Sequence, residues 1–264
     1  LRPSARLRPG TILLFLSPDE GFQFRAQVLE RTASGWHIEF EGDVRPHLAK
    51  LGEVPLPPYI TEKLGDEERY QTTFSREETR LESAAAPTAG LHFTPQLLEK
   101  LQSRGIQTAF VTLAVGIGTF RPIQSETVEE HAMHAEEWEI SNETARRIRE
   151  QKARGGRVVA VGTTTVRVLE SAARANGTVE AGSGSTDIFI RPGFRFRAVD
   201  AMITNFHLPK SSLLVMITAF VQQKLAVGDE QSAIAALEQV RYAYKQAVAE
   251  RYRFFSFGDA MFIE

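Results

Sequence analysis

The run LGEVPLPPYI, residues 51 to 60, places three prolines within four positions. Proline lacks a backbone N–H and fixes φ, so neither a regular helix nor a central strand passes through such a stretch. The chain reads differently on its two sides. Ahead of it, TILLFL, then FQFRAQVLE after Asp19-Glu20-Gly21, then WHIEF after Ser34-Gly35 are short alternating segments separated by turn residues; these predict a meander or part of a small barrel. Behind it, helical and strand-like segments alternate, which predicts an α/β domain with helices covering a sheet. The boundary falls between a part of a small β-barrel domain at 1–54 and an α/β domain at 55–264. The opening at Leu1, on an Arg-rich piece flanked by proline, gives the further expectation that an N-terminal part of the natural protein is absent.

Beyond the boundary, Thr94 is placed to cap a helix with Pro95 at its first position, Leu97, Leu98 and Leu101 on one face and Gly105 past its end. IQTAFVTLAV then reads as a strand. Ser141 caps a basic helix running to about Arg154, Gly155-Gly156 stops it, and RVVAV (157–161) enters GTTTVRVLES as strand, tight turn and helix. DIFI and AVDAMITNF read as strands, SSLLVMITAF as a helix, 229–249 as a long helix and DAMFI as a closing strand.

At 264 residues, with 42% hydrophobic and 24% charged side chains, the chain has the make-up of a soluble globular protein. The most apolar stretch, Leu208 to Val221, is broken by Pro209, Lys210 and two serines, which predicts no membrane span. The absence of cysteine excludes disulfide scaffolds, zinc ribbons, thiol nucleophiles and iron–sulfur clusters, and is compatible with a cytoplasmic location. A formal charge of −2 confines any polyanion contact to local patches. Three exist: Arg2, Arg6 and Arg8; Arg146, Arg147, Arg149, Lys152, Arg154 and Arg157; and Arg191, Arg195 and Arg197. A solvated face is the ordinary reading of each.

EEHAMHAE (129–136) offers His131, His134 and Glu136. Their spacing does not converge on one helical face as H-E-x-x-H does, so proton exchange or hydrogen bonding outweighs a metal. VGIGTF (115–120) holds a glycine turn at Gly116 and Gly118, followed by Thr119, without the third glycine and helix of a dinucleotide fingerprint. In AAAPTAGLHF (84–93), small residues including Thr88 and Gly90 lead to His92 before a capped helix, a loop against which a ligand can lie closely. VGTTTVRVLES sets Thr163 and Thr164 at a strand's carboxyl end, with Arg167 and Glu170 on one helical face. ITNFHLPKSSLL brings Asn205 and His207 to the end of a strand, and YRFFSFGDAMFI closes the chain with an aromatic cluster around Asp259.

Taken in order, PLPPYI, RYQTTFS, AAPTAGLHF, VGIGTF, EEHAMHAE, VGTTTVRVLES, IFIRPGF, VDAMITNFHLP and YRFFSFGDAMFI resemble the S-adenosylmethionine:tRNA ribosyltransferase-isomerase family of queuosine biosynthesis, over about residues 51 to 264. The resemblance implies a transferase, without prosthetic group or metal, that uses S-adenosylmethionine as ribosyl donor. It moves and isomerises the ribosyl moiety onto 7-aminomethyl-7-deazaguanine in a tRNA anticodon. Epoxyqueuosine results, and adenine and methionine are released. The sulfonium acidifies the 5′ carbon; a base takes that proton, adenine leaves, the substrate amine adds, and closure to the epoxide expels methionine.

The resemblance thus implies His92, His131, His134 and His207 as proton-exchanging groups, with Glu136, Glu170 and Asp259 as orienting partners or alternative bases. Thr88, Gly90, Gly116, Gly118, Thr119, Thr163, Thr164, Arg167 and Asn205 form the binding surface. It also implies a monomeric α/β main domain with a small inserted β-barrel, and an N-terminal family segment with no counterpart here. Where the family reads Leu-His-Val-Gly, this chain has Leu113-Ala114-Val115-Gly116. That loss motivates the alternative of a non-catalytic tRNA-binding homologue. A metal-dependent hydrolase built on the histidine pair and an ordinary methyltransferase built on VGIGTF are further readings.

Overall fold

The computed structural model describes residues 6–17, 21–32, 35–44, 46–47, 52, 54–62, 64–76, 83–116, 127–128, 130–131, 133–225 and 230–264. They belong to two compact units, Leu1–Pro55 and Leu56–Glu264.

In the first unit, β1 (Ile12–Ser17), β2 (Gly21–Arg31) and β3 (Trp36–Phe40) form an antiparallel meander in that order. The period of two decides its faces. Phe24, Ala26 and Val28 are buried on one, where Phe15 stacks on Phe24 with centroids 4.4 Å apart. Ile12, Leu14 and Leu16 are exposed on the other. Among the described residues these strands make an open sheet and no closed barrel.

The second unit is a mixed helix and sheet fold. Its strands are β4 (Thr112–Leu113), β5 (Glu136–Ile140), β6 (Val159–Val161), β7 (Gly182–Thr186), β8 (Ala201–Asn205) and β9 (Ala260–Ile263). They form two three-stranded sheets, in the orders β4-β5-β7 and β6-β8-β9. The β6–β8 pair is parallel and the other pairs are antiparallel. The helices are α1 (Pro95–Ser103), α2 (Asn142–Ala153), α3 (Thr163–Ala172), α4 (Ser212–Lys224) and α5 (Glu230–Ala249). Hydroxyl caps start three of them. Thr94, Ser141 and Ser211 accept the N–H groups of Leu97, Thr144 and Leu214 at 3.2, 3.1 and 3.3 Å, supplying acceptors that a helix's first turn lacks. A core of Leu113, Ile140, Ala160, Val166, Leu169, Ile190, Met202, Ile217 and Phe220 joins both sheets to α3 and α4.

Two expectations need correction. The segment 106–115 carries only the two-residue β4, and 187–190 is not a strand; the strand lies just ahead of it, in the apolar-poor Gly182–Thr186. Packing explains the choice. A Cβ on Gly184 would come within 3.0 Å of Trp138 Cζ2, so the indole on β5 covers a neighbour that has to be small.

Candidate active site at a strand-to-helix turn

Gly162, at φ 87, turns the chain from β6 into α3 while its N–H bonds to Ile203 O at 2.8 Å. A residue with a side chain disfavours that conformation. The turn leaves the first N–H groups of α3, at Thr163 and Thr164, at the carboxyl end of a parallel strand pair, where open sheets of this kind receive ligands. Asn205 ends the neighbouring strand β8, and the 3₁₀ turn Thr88–His92 lies against it. The Thr88 hydroxyl donates to Asn205 Oδ1 at 3.1 Å, which orients the amide so that Nδ2 faces His92 Nε2 at 3.4 Å. With Asn205 only 3% exposed, this chain of polar contacts fixes one imidazole edge and leaves the other for a ligand. Asp259 stands at the same sheet end. Its carboxyl is held below the usual carboxylate range by the Arg253 backbone N–H at 2.7 Å, then by the Arg253 guanidinium, with a smaller contribution from His92.

Gly90 is the reason the turn can lie so close. A Cβ there would meet Phe74 Cζ at 2.7 Å and Thr72 Cγ2 at 2.9 Å. Gly90→Ala is expected to cost about 1–3 kcal/mol through overpacking, read as a fall of several degrees in Tm. An unchanged Tm would show that the Phe74 ring yields freely.

A second polar group forms where β5 begins. Glu136, 4% exposed, accepts the Gly116 N–H at 3.1 Å through Oε1 and the Arg167 guanidinium Nη1 through Oε2. Arg167 and Glu170 stand on one face of α3 but do not pair with each other. Glu170 instead accepts the N–H groups of Arg197, Ala198 and Val199 at 2.8, 3.0 and 3.0 Å and pins the chain entering β8. Burial raises its pKa, opposed by those three hydrogen bonds. The segment 83–92 connects the two polar groups. Ala84 N–H bonds to Val115 O at 2.8 Å, and Ser83 Oγ accepts the Val115 N–H at 3.1 Å.

The other histidines are dispersed. His131 packs edge-on against Phe189, with ring centroids 5.3 Å apart, and His134 is exposed ahead of the strand while Glu136 is buried, so the two do not share one environment. Among the described residues no three His, Asp or Glu side chains are grouped to hold a metal. Gly118 and Thr119 lie outside the described residues. His207 does not fit proton exchange near neutrality. Its Nε2 is 2.8 Å from Thr204 Oγ1, and burial lowers its pKa from 6.5 to about 4. The imidazole is neutral at pH 7.

A base whose pKa is depressed by folding binds fewer protons folded than unfolded, so its contribution is present above about pH 6.5 and lost as pH falls towards 4. Across that window the wild-type chain is expected to lose roughly 2–3 kcal/mol more stability than His207→Gln. Parallel pH curves for the two in urea unfolding would contradict it.

The basic helix is also less available than its composition suggests. Arg146 pairs with Glu143 and Glu150, Arg147 with Glu143 and the Thr108 carbonyl, and Arg149 with the Val179 carbonyl. Among the described residues no helix is long and apolar enough to cross a membrane.

The chain matches the family model described as queuosine biosynthesis protein over residues 1–263. It belongs to that family. Curated relatives named S-adenosylmethionine:tRNA ribosyltransferase-isomerase from Moorella thermoacetica, Acetivibrio thermocellus and Natranaerobius thermophilus are 50%, 48% and 46% identical to it over 267 residues, covering 100% of this chain and 72% of each relative. The crystal structure of S-adenosylmethionine tRNA ribosyltransferase from Thermotoga maritima superposes with a TM-score of 0.51 at 37% identity, covering 100% of this chain and 68% of that one.

Within this family member, two groups of polar contacts were not foreseen. Ser83 clips its segment to Val115, and Tyr59 Oη lies 2.8 Å from Ser256 Oγ beside Phe255, whose φ of 70 is unusual for a bulky residue. Neither partner carries a sequence signal, since the contacts join positions 32 and 197 residues apart.

Proposed function

We propose that this chain is an S-adenosylmethionine:tRNA ribosyltransferase-isomerase of queuosine biosynthesis, with S-adenosylmethionine as ribosyl donor substrate and tRNA as acceptor. The acceptor base in this reading is 7-aminomethyl-7-deazaguanine in the anticodon, and the working form is a cytoplasmic monomer. The strands of the first unit belong, on the same reading, to the family's small barrel. The observation that carries the assignment is the Thr88–Asn205–His92 chain seated beside the α3 N-terminus, in a chain that belongs to the family.

His92 has the position for proton transfer. With Nε2 facing the Asn205 amide, a ring with one proton carries it on Nδ1 and can direct that N–H to the adenine nitrogen on which negative charge develops as adenine departs. The N–H groups and hydroxyls of Thr163 and Thr164 hold ribose oxygens, and Gly162 shapes the turn that brings them to the donor. Asp259 keeps a negative charge near the site. Gly116 extends the proposed surface, while Glu136, Glu170 and His207 position other groups.

Incubation with S-adenosylmethionine and precursor tRNA should release adenine and methionine in equal amounts. S-adenosylhomocysteine as product would point to a methyltransferase, and tRNA binding without turnover to a non-catalytic homologue.

A further inference from the structure

Arg167 is 5% exposed on the second turn of α3, and among the described residues one of its three guanidinium nitrogens is engaged. Nη1 donates to Glu136. Nε and Nη2 are buried with no hydrogen-bond partner among the described residues. Buried donors without acceptors are few in native proteins, and each calls for an explanation. These two share one edge of a rigid plane, the fork that meets both oxygens of a carboxylate at once. Glu136 is itself fixed by the Gly116 N–H, so the guanidinium is held by its Nη1 corner with the opposite edge unpaired among the described residues.

We propose that this edge receives the amino-acid carboxylate of S-adenosylmethionine, an inference that rests on the functional reading above. A carboxylate matches the fork in shape and charge. An RNA phosphate shares that chemistry, yet a backbone phosphate is carried on a bulky polymer, whereas this edge is enclosed within the protein and suits the end of a small molecule. The distance also fits. Arg167 follows Thr163 by four residues, about 6 Å along the helix axis, so a methionine chain anchored on the fork runs along the first turn of α3. It delivers the sulfonium and 5′ carbon towards Gly162, Asn205 and His92.

The test compares S-adenosylmethionine with its decarboxylated analogue, which keeps the sulfonium, ribose and adenine, using precursor tRNA and adenine release as the readout. The wild-type chain is expected to favour S-adenosylmethionine by about 100-fold in kcat/KM, the scale of a buried charged hydrogen-bonded pair. Arg167→Lys keeps a cation for Glu136 and loses the fork. Its preference should fall to within about threefold, through a raised KM for S-adenosylmethionine.

A variant that keeps the wild-type preference, or that loses activity equally with both donors, overturns the proposal. A wild-type chain that turns over both donors equally overturns it without recourse to any variant. No adenine release from either donor by the wild-type chain overturns the functional reading itself and the proposal with it.

Discussion

Glu136→Ala is expected to lower the unfolding free energy by about 3–5 kcal/mol, the usual result of stripping a buried ion of its partner. The Arg167 side chain is 6% exposed and cannot reach water without disturbing α3, and the Gly116 N–H loses its acceptor in the same change. Glu136→Gln should cost less, since its carbonyl still accepts one of the two donors. Removing both charges, with Glu136→Leu and Arg167→Met together, should cost less than Glu136→Ala alone because no unpaired charge stays inside. Urea unfolding followed by Trp138 fluorescence in a Trp36→Phe background reads the second unit. A loss below about 1 kcal/mol for Glu136→Ala would show that the guanidinium finds other solvation.

Replacing His92 by glutamine is expected to reduce kcat for adenine release by about 10²–10⁴-fold, the range that a positioned acid or base contributes. The fold should be unaffected, because the ring is only partly buried and its hydrogen bond among the described residues is long, at 3.4 Å. Asn205→Asp is the sharper companion. The Thr88 hydroxyl still has an oxygen to donate to, but the second carboxylate oxygen now faces His92 Nε2 and favours the protonated ring. A pH–rate limb set by this ring should move to higher pH. An unmoved limb in Asn205→Asp, together with an active His92→Gln, would assign the proton to another residue.

Much of the scaffold was legible because local signals and packing agreed. Thr94, Ser141 and Gly155 mark helix ends by chemistry that acts within a turn, and each does so in the structure. The β6-to-α3 turn was equally visible, since a valine-rich strand followed by glycine and threonines has few other uses. The polar pairings were not. Arg167 and Glu170 stand at helical spacing, but burial gave Arg167 a partner 31 residues away and gave Glu170 three backbone amides. Helical periodicity reports which residues share a face, and leaves open what lies across from it. Strand β7 escaped for a related reason: its small residues answer to the Trp138 indole, an environment that propensity does not describe. His207 and Asn205 looked equivalent at the end of one strand, yet two residues of chain separate a neutral ring bonded to Thr204 from an amide turned towards Thr88 and His92.

The segment from Ser83 to His92 is fastened at Val115 beside one sheet and at Asn205 on the other. Its main chain therefore acts as a ruler. The spacing between the Glu136–Arg167 pair and His92 is tied to a count of residues as well as to side-chain packing. Inserting or deleting one residue between 84 and 88 would change that count while leaving both polar groups chemically whole. A donor molecule held at two ends registers such a change as lost turnover, even where each end still binds.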